Sequence, residues 1–151
     1  MIRRYSLVVV AALSLIVVVG VGITIAGEYG TAAEAKAMLE KAVAALKADA
    51  AKALGMFTKG EGGFKDRDLY PFCGGPDGNF TAHPKLVGKS LKELKDKAGK
   101  ALGAEMYDVA KEGKISEVSY MWPRPGSETP VQKVSYVTKA GDQVCAVGYY
   151  K

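Results

Sequence analysis

Apolar and polar residues alternate with two different periods along this chain of 151 residues, and the first period predicts a long helix. Apolar side chains recur every three or four positions from Thr31 to Ala53, which is the period of a helix. Thr31 and Glu34 have the spacing of a capping box at its start, and Gly55 is expected to end it. The pattern therefore predicts one helix that buries a single apolar stripe.

The second period, in which every other residue is apolar, is typical of strands and occurs at 115–122 and 131–139. Residues 143–150 are nearly all apolar, which is typical of a central strand, and the turn residues at 74–78 indicate a hairpin. Five strands are expected, at residues 68–73, 79–82, 115–122, 131–139 and 143–150. The first two form a hairpin in which Pro71 is expected to produce a bulge, because proline cannot donate to a sheet ladder. Short helices at 91–95 and 102–111 separate the two groups of strands. The order predicts an α+β domain, a five-stranded antiparallel sheet with helices on one side.

The first 26 residues differ in composition from the rest of the chain. Arg3 and Arg4 precede residues 7–26, which are uncharged and almost wholly apolar. A basic start followed by such a run is typical of an export signal, and its length also suffices for a transmembrane helix. We therefore predict that residues 1–26 are either a cleaved signal peptide or a retained anchor in the plasma (inner) membrane. Either way, the remainder is expected in an extracytoplasmic space such as the periplasm.

Charge and cysteine content narrow the classes of function. The net charge of +5 falls to +3 without Arg3 and Arg4, and charges of both signs alternate along the remaining chain. That pattern is typical of a solvated surface and not of nucleic-acid binding, which needs a clustered basic patch. Cys73 and Cys145 are either one disulfide, which an exported protein favours, or two buried thiols.

Short motifs follow one another in a fixed order along residues 31–151. They lie at 34–38, 66–70, 77–84, 86–89, 120–123, 133–137 and 147–150. Together they resemble a single Cache domain, the PAS-like sensor domain of extracytoplasmic proteins, of the type 2 form found in small stand-alone exported proteins and in receptors. The resemblance implies a sheet ordered 2-1-5-4-3 with the long helix packed on it. That order would place Cys73 and Cys145 on adjacent strands.

The resemblance also implies a pocket, between the sheet and the loops above it, for a small organic ligand that is often a carboxylate. The residues expected to bind the ligand are Tyr70, His83, Tyr120, Trp122, Lys133 and Tyr136. Lys133 would pair its ammonium with the carboxylate, whereas in an ordinary strand it would be a solvated surface residue. Tyr120 and Trp122 share a strand face and suit either a pocket wall or the core.

We therefore expect an extracytoplasmic domain that senses a small organic acid and has no catalytic activity. His83 is the sole histidine and has no second ligand at metal spacing, so neither a metal nor a cofactor is expected. A membrane receptor or kinase is the expected partner, and nucleic acid is not. Two alternatives are an interaction module of an envelope signalling complex that binds no ligand, and a thiol-based redox enzyme that uses Cys73 and Cys145.

Overall fold

The structure is a computed structural model that describes residues 27–151. The segment 1–26, expected to be a signal peptide or an anchor, lies outside the described residues. Among residues 27–151, no helix combines the length and the apolar character that crossing a membrane requires. The division into a leader over 1–26 and a domain over 31–151 therefore stays a prediction.

Helix α1, Ala32–Ala48, begins at the predicted capping box. The Thr31 hydroxyl accepts a hydrogen bond from the Glu34 amide, and the Glu34 carboxylate accepts one from the Thr31 amide. One stripe of the helix is buried, and it consists of Ala35, Met38, Leu39, Ala42 and Leu46. These side chains pack against the sheet, so the stripe that the sequence indicates forms part of the core.

The single long helix expected from the sequence is interrupted at Asp49, which corrects that prediction. Asp49 has an extended backbone, and its carboxylate accepts a hydrogen bond from the Lys52 amide at the start of α2, Ala50–Lys59. This side-chain cap starts a second helix. Gly55, expected to end the helix, lies inside α2, and the helix ends at Gly60 in the left-handed conformation.

Five strands form one antiparallel sheet in the order β2-β1-β5-β4-β3, as the resemblance implied. They are β1 (Pro71–Gly74), β2 (Phe80–Ala82), β3 (Ser116–Pro123), β4 (Pro130–Ala140) and β5 (Gln143–Tyr150). β5 is the central strand and is buried almost throughout. Pro71 pairs with Val147 at the first position of β1, where a proline is tolerated. The irregularity expected at Pro71 falls instead between Cys73 and Gly74.

Helices cover both faces of the sheet, which corrects the expectation of helices on one side. Helices α1 and α2 pack on one face, where Leu39 and Phe57 meet Val147. On the other face, Leu102 and Met106 of helix α3, Leu102–Val109, pack in a second core. The segment 83–101 lies over the same second face, where Leu91 joins the second core, and residues 91–95 do not form the expected helix. The strand face opposite α1 is thereby enclosed and can hold a pocket.

Cys73 of β1 and Cys145 of β5 stand directly opposite each other, and their sulfur atoms are bonded. Both side chains are fully buried in the core between the sheet and α1. The bond closes a separation of 72 residues and ties the first hairpin to the central strand. A thiol-based redox enzyme needs an accessible thiolate, and this buried bond presents none.

Candidate functional site

A buried lysine lies on the sheet face that α3 and the segment 83–101 cover. Lys133 in β4 pairs with Tyr120 of β3 on one side and with Tyr150 of β5 on the other. Its side chain is 1% exposed, so the alternative of a solvated surface lysine is wrong. Lysine is almost never fully buried unless its charge is paired, and the surroundings of its ammonium therefore decide what the site can do.

Aromatic rings surround the ammonium of Lys133. Its Nζ lies 4.6 Å from the ring centroid of Tyr70, 4.9 Å from that of Tyr150 and 5.9 Å from that of Phe72. Nζ also donates a hydrogen bond of 3.3 Å to the Tyr70 hydroxyl. Rings at these distances attract a cation through their quadrupoles. Within residues 27–151, Lys133 forms no ion pair with a carboxylate.

Burial lowers the pKa of Lys133 to about 7, and the negative charge of Asp68 opposes this shift only in part. Desolvation disfavours the charged form of an amine, and an adjacent anion favours it. The charged and neutral forms of Lys133 are therefore close in free energy near neutral pH. An anion placed beside Nζ would shift the balance towards the ammonium.

A small cavity lies beside the ammonium, with a volume of about 10 Å³. Five of the six residues expected to bind a ligand line it: Tyr70, His83, Tyr120, Trp122 and Lys133. Its remaining walls are Phe72, Phe80, Leu94 and Leu102. The volume corresponds to about one water molecule, so the walls must move before any organic molecule enters.

His83 is among the residues that line this cavity. Its Nδ1 accepts a hydrogen bond of 2.9 Å from the Lys85 amide, which leaves the proton of the neutral ring on Nε2. Burial lowers the pKa of His83 to about 4, and the positive charges of Lys133 and Lys85 add to the effect. The imidazole is therefore neutral at physiological pH and donates through Nε2.

The tyrosines of the cavity keep their protons. Burial raises the pKa of Tyr70 to about 12, although a hydrogen bond with Trp122 acts in the opposite direction. Burial also raises the pKa of Tyr120, whose hydroxyl lies 2.8 Å from Ser135 Oγ. Tyr120 and Trp122 pack edge to face with ring centroids 6.2 Å apart. Tyr120 belongs to the second core cluster and the partly buried Trp122 packs against that cluster, and both residues also line the cavity.

Tyr136 does not join the other five expected residues around this cavity. Side chains alternate between the two faces of a strand, and Tyr136 is three positions from Lys133. It packs on the opposite face, with its ring centroid 5.8 Å from that of Tyr149, against the core under α1.

Two residues that the sequence analysis missed shape the site. Tyr150 supplies a ring beside the ammonium, and its hydroxyl donates a hydrogen bond of 2.8 Å to the carbonyl of Pro123. Gly148 leaves room for the lysine stem, because a Cβ at this position would overlap Lys133 Cε. The available signal for Gly148 was a glycine inside an otherwise apolar strand, which often marks a close approach.

Comparison with protein families identifies the domain. The family model described as a Cache domain matches residues 22–149, which is most of the chain. This chain belongs to the Cache domain family. The predicted recognition is therefore confirmed, as is the fold class.

Solved structures similar to this Cache domain are sensor domains of chemotaxis proteins. A methyl-accepting chemotaxis protein from Vibrio parahaemolyticus is 26% identical with a TM-score of 0.64, over 78% of this chain and 86% of that one. A periplasmic sensor domain of a chemotaxis protein is 25% identical with a TM-score of 0.59, over 76% and 86% of the two chains. A Cache chemosensory domain studied for carboxylic acid recognition is 26% identical with a TM-score of 0.57, over 76% and 84%.

A curated relative belongs to the same class of receptor. The methyl-accepting chemotaxis protein McpP of Pseudomonas putida is 39% identical over 56 residues. The match spans 37% of this chain and 10% of the length of that receptor. These relatives are chemotaxis proteins and chemosensory domains, which supports a role for this Cache domain in extracytoplasmic ligand sensing.

A wider groove of about 340 Å³ opens outside the cavity of this Cache domain, and the two share Tyr70, His83 and Trp122 as walls. The basic residues that line the groove are Lys59, Lys65, Arg67, Lys85 and Arg124, and no acidic residue lines it. A cleft lined by one sign of charge raises the local concentration of the opposite ion. The groove is therefore suited to attract anions towards the wall of the cavity.

Metal binding has no comparable support. Among residues 27–151, no three side chains of His, Cys, Asp or Glu lie together as a metal site would require.

Proposed function

We propose that this Cache domain is an extracytoplasmic sensor that binds a small organic carboxylate at Lys133 and performs no catalysis. The observation that carries the proposal is the buried ammonium of Lys133, which has aromatic neighbours but no ion pair with a carboxylate in the described chain. Burying a charge without a counter-ion costs free energy, and a bound carboxylate would offset that cost.

The chemistry of the cavity matches a carboxylate. Lys133 carries only donors, Tyr70 offers a hydroxyl, and His83 presents Nε2–H. An ionised carboxylate carries only acceptors, so its oxygens can accept hydrogen bonds from all three groups. The similar Cache chemosensory domain studied for carboxylic acid recognition supports the same ligand class.

The size of the cavity indicates a ligand with few non-hydrogen atoms. A volume of about 10 Å³ is far below the ~300 Å³ at which ordinary ligand pockets begin, so binding requires a displacement of the wall. Tyr70, His83 and Trp122 stand between the cavity and the basic groove. We propose that the anion collects in the groove and enters where these three side chains separate.

A signalling partner belongs to this proposal. The chemotaxis receptors among the similar proteins support a membrane receptor or kinase as the partner, and the apolar residues 7–26 would hold the domain at the membrane. An interaction module that binds no ligand is the second candidate, and the small volume of the cavity favours it. The buried stripe of α1 argues against it, because that stripe packs on the sheet and is not exposed for a partner.

A thermal-shift experiment on the full chain tests the proposal. The probes are acetate, propionate and benzoate, each matched by its neutral amide. We expect at least one acid, at about 100 times its Kd, to stabilise the chain by about 2.7 kcal/mol, and no amide to do so. Lys133→Met should abolish the effect, whereas Lys139→Met, an exposed lysine on the same strand, should preserve it.

Two results would contradict carboxylate binding at Lys133. One is that none of the acids stabilises the wild-type chain. The other is that an acid stabilises the Lys133→Met variant as much as the wild type. The first result would favour the interaction module, and the second would place the anion elsewhere, with the basic groove as the next site to test.

A further inference from the structure

The turn at residues 67–70 contacts both the candidate ligand site and the first residues of the described chain. Arg67 Nη1 donates hydrogen bonds of 3.1 Å to the Gly27 carbonyl and 2.9 Å to the Tyr29 carbonyl. Asp68 Oδ1 accepts a hydrogen bond of 2.7 Å from the Gly30 amide. Tyr70, two residues further on, accepts the hydrogen bond from Lys133. One turn therefore links the segment 27–30 to the buried ammonium.

The backbone at Arg67 is held in an uncommon conformation. Its φ of 55° is the single positive value at a non-glycine residue among residues 27–151. Such a conformation costs free energy and persists only where surrounding contacts impose it. The contacts here are ion pairs of 2.6 Å to Glu34 and 2.9 Å to Asp66. These ion pairs fix the Arg67 side chain in the position from which it donates hydrogen bonds to the carbonyls of Gly27 and Tyr29.

Arg124 forms a second link between the same two regions. Its guanidinium carbon lies 4.2 Å from the ring centroid of Tyr29 and 4.9 Å from that of Tyr150. The Tyr150 ring in turn lies 4.9 Å from Lys133 Nζ. The cations of Arg124 and Lys133 therefore both contact the Tyr150 ring, and Arg124 also contacts the ring of Tyr29.

Asp68 and Arg124 form an incomplete pair. Asp68 Oδ2 and Arg124 Nε lie 3.7 Å apart, and both atoms are buried. Neither has a hydrogen-bond partner within the described chain. The separation is too long for a hydrogen bond, and a buried polar atom without a partner is destabilising. A movement of less than about 1 Å would bring the two atoms into hydrogen-bond range.

Lys133 is a second cation near Asp68, because Tyr70, two residues further along the same turn, accepts the hydrogen bond of its ammonium. Asp68 is 5% exposed, and its negative charge is the one that favours the charged form of Lys133. Without a ligand, the Asp68 carboxylate is attracted both by Lys133 and by Arg124. A ligand carboxylate beside Lys133 would satisfy the ammonium and repel Asp68, because like charges disfavour each other at short range.

We propose that an anion bound at Lys133 drives Asp68 onto Arg124, and that closure of this pair tightens the hold on residues 27–30. Asp68 would then be fixed by Gly30 on one oxygen and by Arg124 on the other, while Arg124 stays stacked on Tyr29. Residues 27–30 directly follow the apolar segment 7–26 in the sequence, so the change reaches the part of the chain that a membrane signal would use. This inference rests on the proposed function for its ligand, but not for the link itself.

Hydrogen exchange at the Gly30 amide measures the hold directly, on the full chain and at single-residue resolution. In the absence of ligand, Lys133→Met removes the competing cation, so we expect exchange at Gly30 to slow about fivefold or more. Lys139→Met should leave it unchanged. A stabilising acid added to the wild type should slow exchange in the same way. Asp68→Asn keeps an oxygen for the Gly30 amide but lacks the charge, and should abolish the response to the acid.

The reciprocal experiment avoids any change in the cavity. Coupling between two sites acts equally in both directions. Tyr29 is 44% exposed and does not line the cavity, so Tyr29→Ala should weaken acid binding about fivefold while the chain stays folded. Met121→Ala, at a residue that is 36% exposed on the other side of β3, serves as the control and should have no effect.

The results separate this inference from the proposed function. If Lys133→Met leaves Gly30 exchange unchanged, the link is overturned, whatever the chain binds. If that variant slows exchange but no acid binds, the proposed function fails and the link stands. If an acid binds at Lys133 but does not slow exchange at Gly30, and Tyr29→Ala does not weaken its binding, the ligand site exists and the link is again overturned.

Discussion

The side chain of Lys133 lies across Gly148, because the glycine presents no side chain in the space that the lysine stem fills. A Cβ at position 148 would overlap Lys133 Cε and would lie 2.6 Å from Ser135 Oγ. The lysine can therefore stay on the enclosed face and reach the ring of Tyr150. The central strand β5 permits the burial of Lys133 because it carries a glycine at position 148.

Gly148→Ala is expected to displace Lys133 from its aromatic surroundings. The added methyl group forces the stem to move, which should weaken carboxylate binding more than tenfold and destabilise the fold by about 1–3 kcal/mol. Calorimetric titration and chemical denaturation measure the two effects. Gly55→Ala is the matched control, because a Cβ there meets nothing within 4 Å, and it should raise stability by about 0.5–1 kcal/mol. Unchanged affinity in Gly148→Ala would show that the position of Lys133 does not determine binding.

Stability is expected to rise with pH because of Lys133. Its pKa is about 7 in the folded chain against an ordinary 10.5, so between these values the unfolded chain binds a proton that the folded chain does not. The free energy of unfolding then increases with pH by at most about 1.4 kcal/mol per unit, and the full destabilising effect is present below pH 7. Denaturation at several pH values from about 7 to 9 measures the slope.

Lys133→Met is the comparison for that slope. The variant keeps an unbranched stem without the charge, so it should be more stable than the wild type near pH 7 and should lose the dependence on pH. The tyrosines of the site do not titrate in this range, since burial raises the pKa of Tyr70 to about 12. An equal slope in wild type and variant would assign the dependence to another group.

Reduction of the bond between Cys73 and Cys145 is expected to destabilise the domain by about 2–4 kcal/mol. The bond closes a separation of 72 residues in the core, so its loss gives the unfolded chain more freedom. Denaturation with and without a thiol reductant measures the difference. The double variant Cys73→Ala and Cys145→Ala should show no response to the reductant. A wild-type chain with equal stability in both conditions would contradict the prediction.

Alternating side chains predicted β3 and β4, a nearly continuous apolar run predicted β5, turn residues predicted the first hairpin, and the resemblance supplied the order of the strands. The break at Asp49 was not predictable in the same way, because an aspartate within an alanine-rich run is compatible with a continuous helix. Its carboxylate instead caps the next helix, and that choice depends on how α1 and α2 pack on the sheet. The prediction that Gly55 ends the helix was wrong, because a glycine inside a helix is tolerated at a cost of about 1 kcal/mol.

Part of the candidate site was also predictable. Lys133 and Tyr120 were expected on one face, and the structure places them opposite each other on neighbouring strands. Tyr136 lies on the other face from Lys133, as the period of two along a strand already indicates. Gly148 and Tyr150 were missed because their contribution depends on the register between β4 and β5, and the order of the strands does not contain that information.

Carboxylate affinity is expected to fall as the pH rises above about 7. The free site loses the charge of Lys133 near its pKa of about 7, whereas a bound carboxylate favours the ammonium and raises that pKa. Binding above pH 7 must therefore take up a proton, and Kd should rise by up to about tenfold per pH unit. His83 does not contribute, because its pKa of about 4 keeps it neutral throughout this range.

Titration calorimetry in buffers of different ionisation enthalpy counts that proton. We expect close to one proton taken up per ligand at about pH 8 and almost none at about pH 6, where Lys133 is already charged in the free site. The acid itself is ionised at both pH values, since an ordinary carboxyl group has a pKa near 4. A constant affinity from pH 6 to 9 without proton uptake would mean that the ligand does not contact Lys133. In that case the basic residues that line the outer groove would be the remaining binding groups.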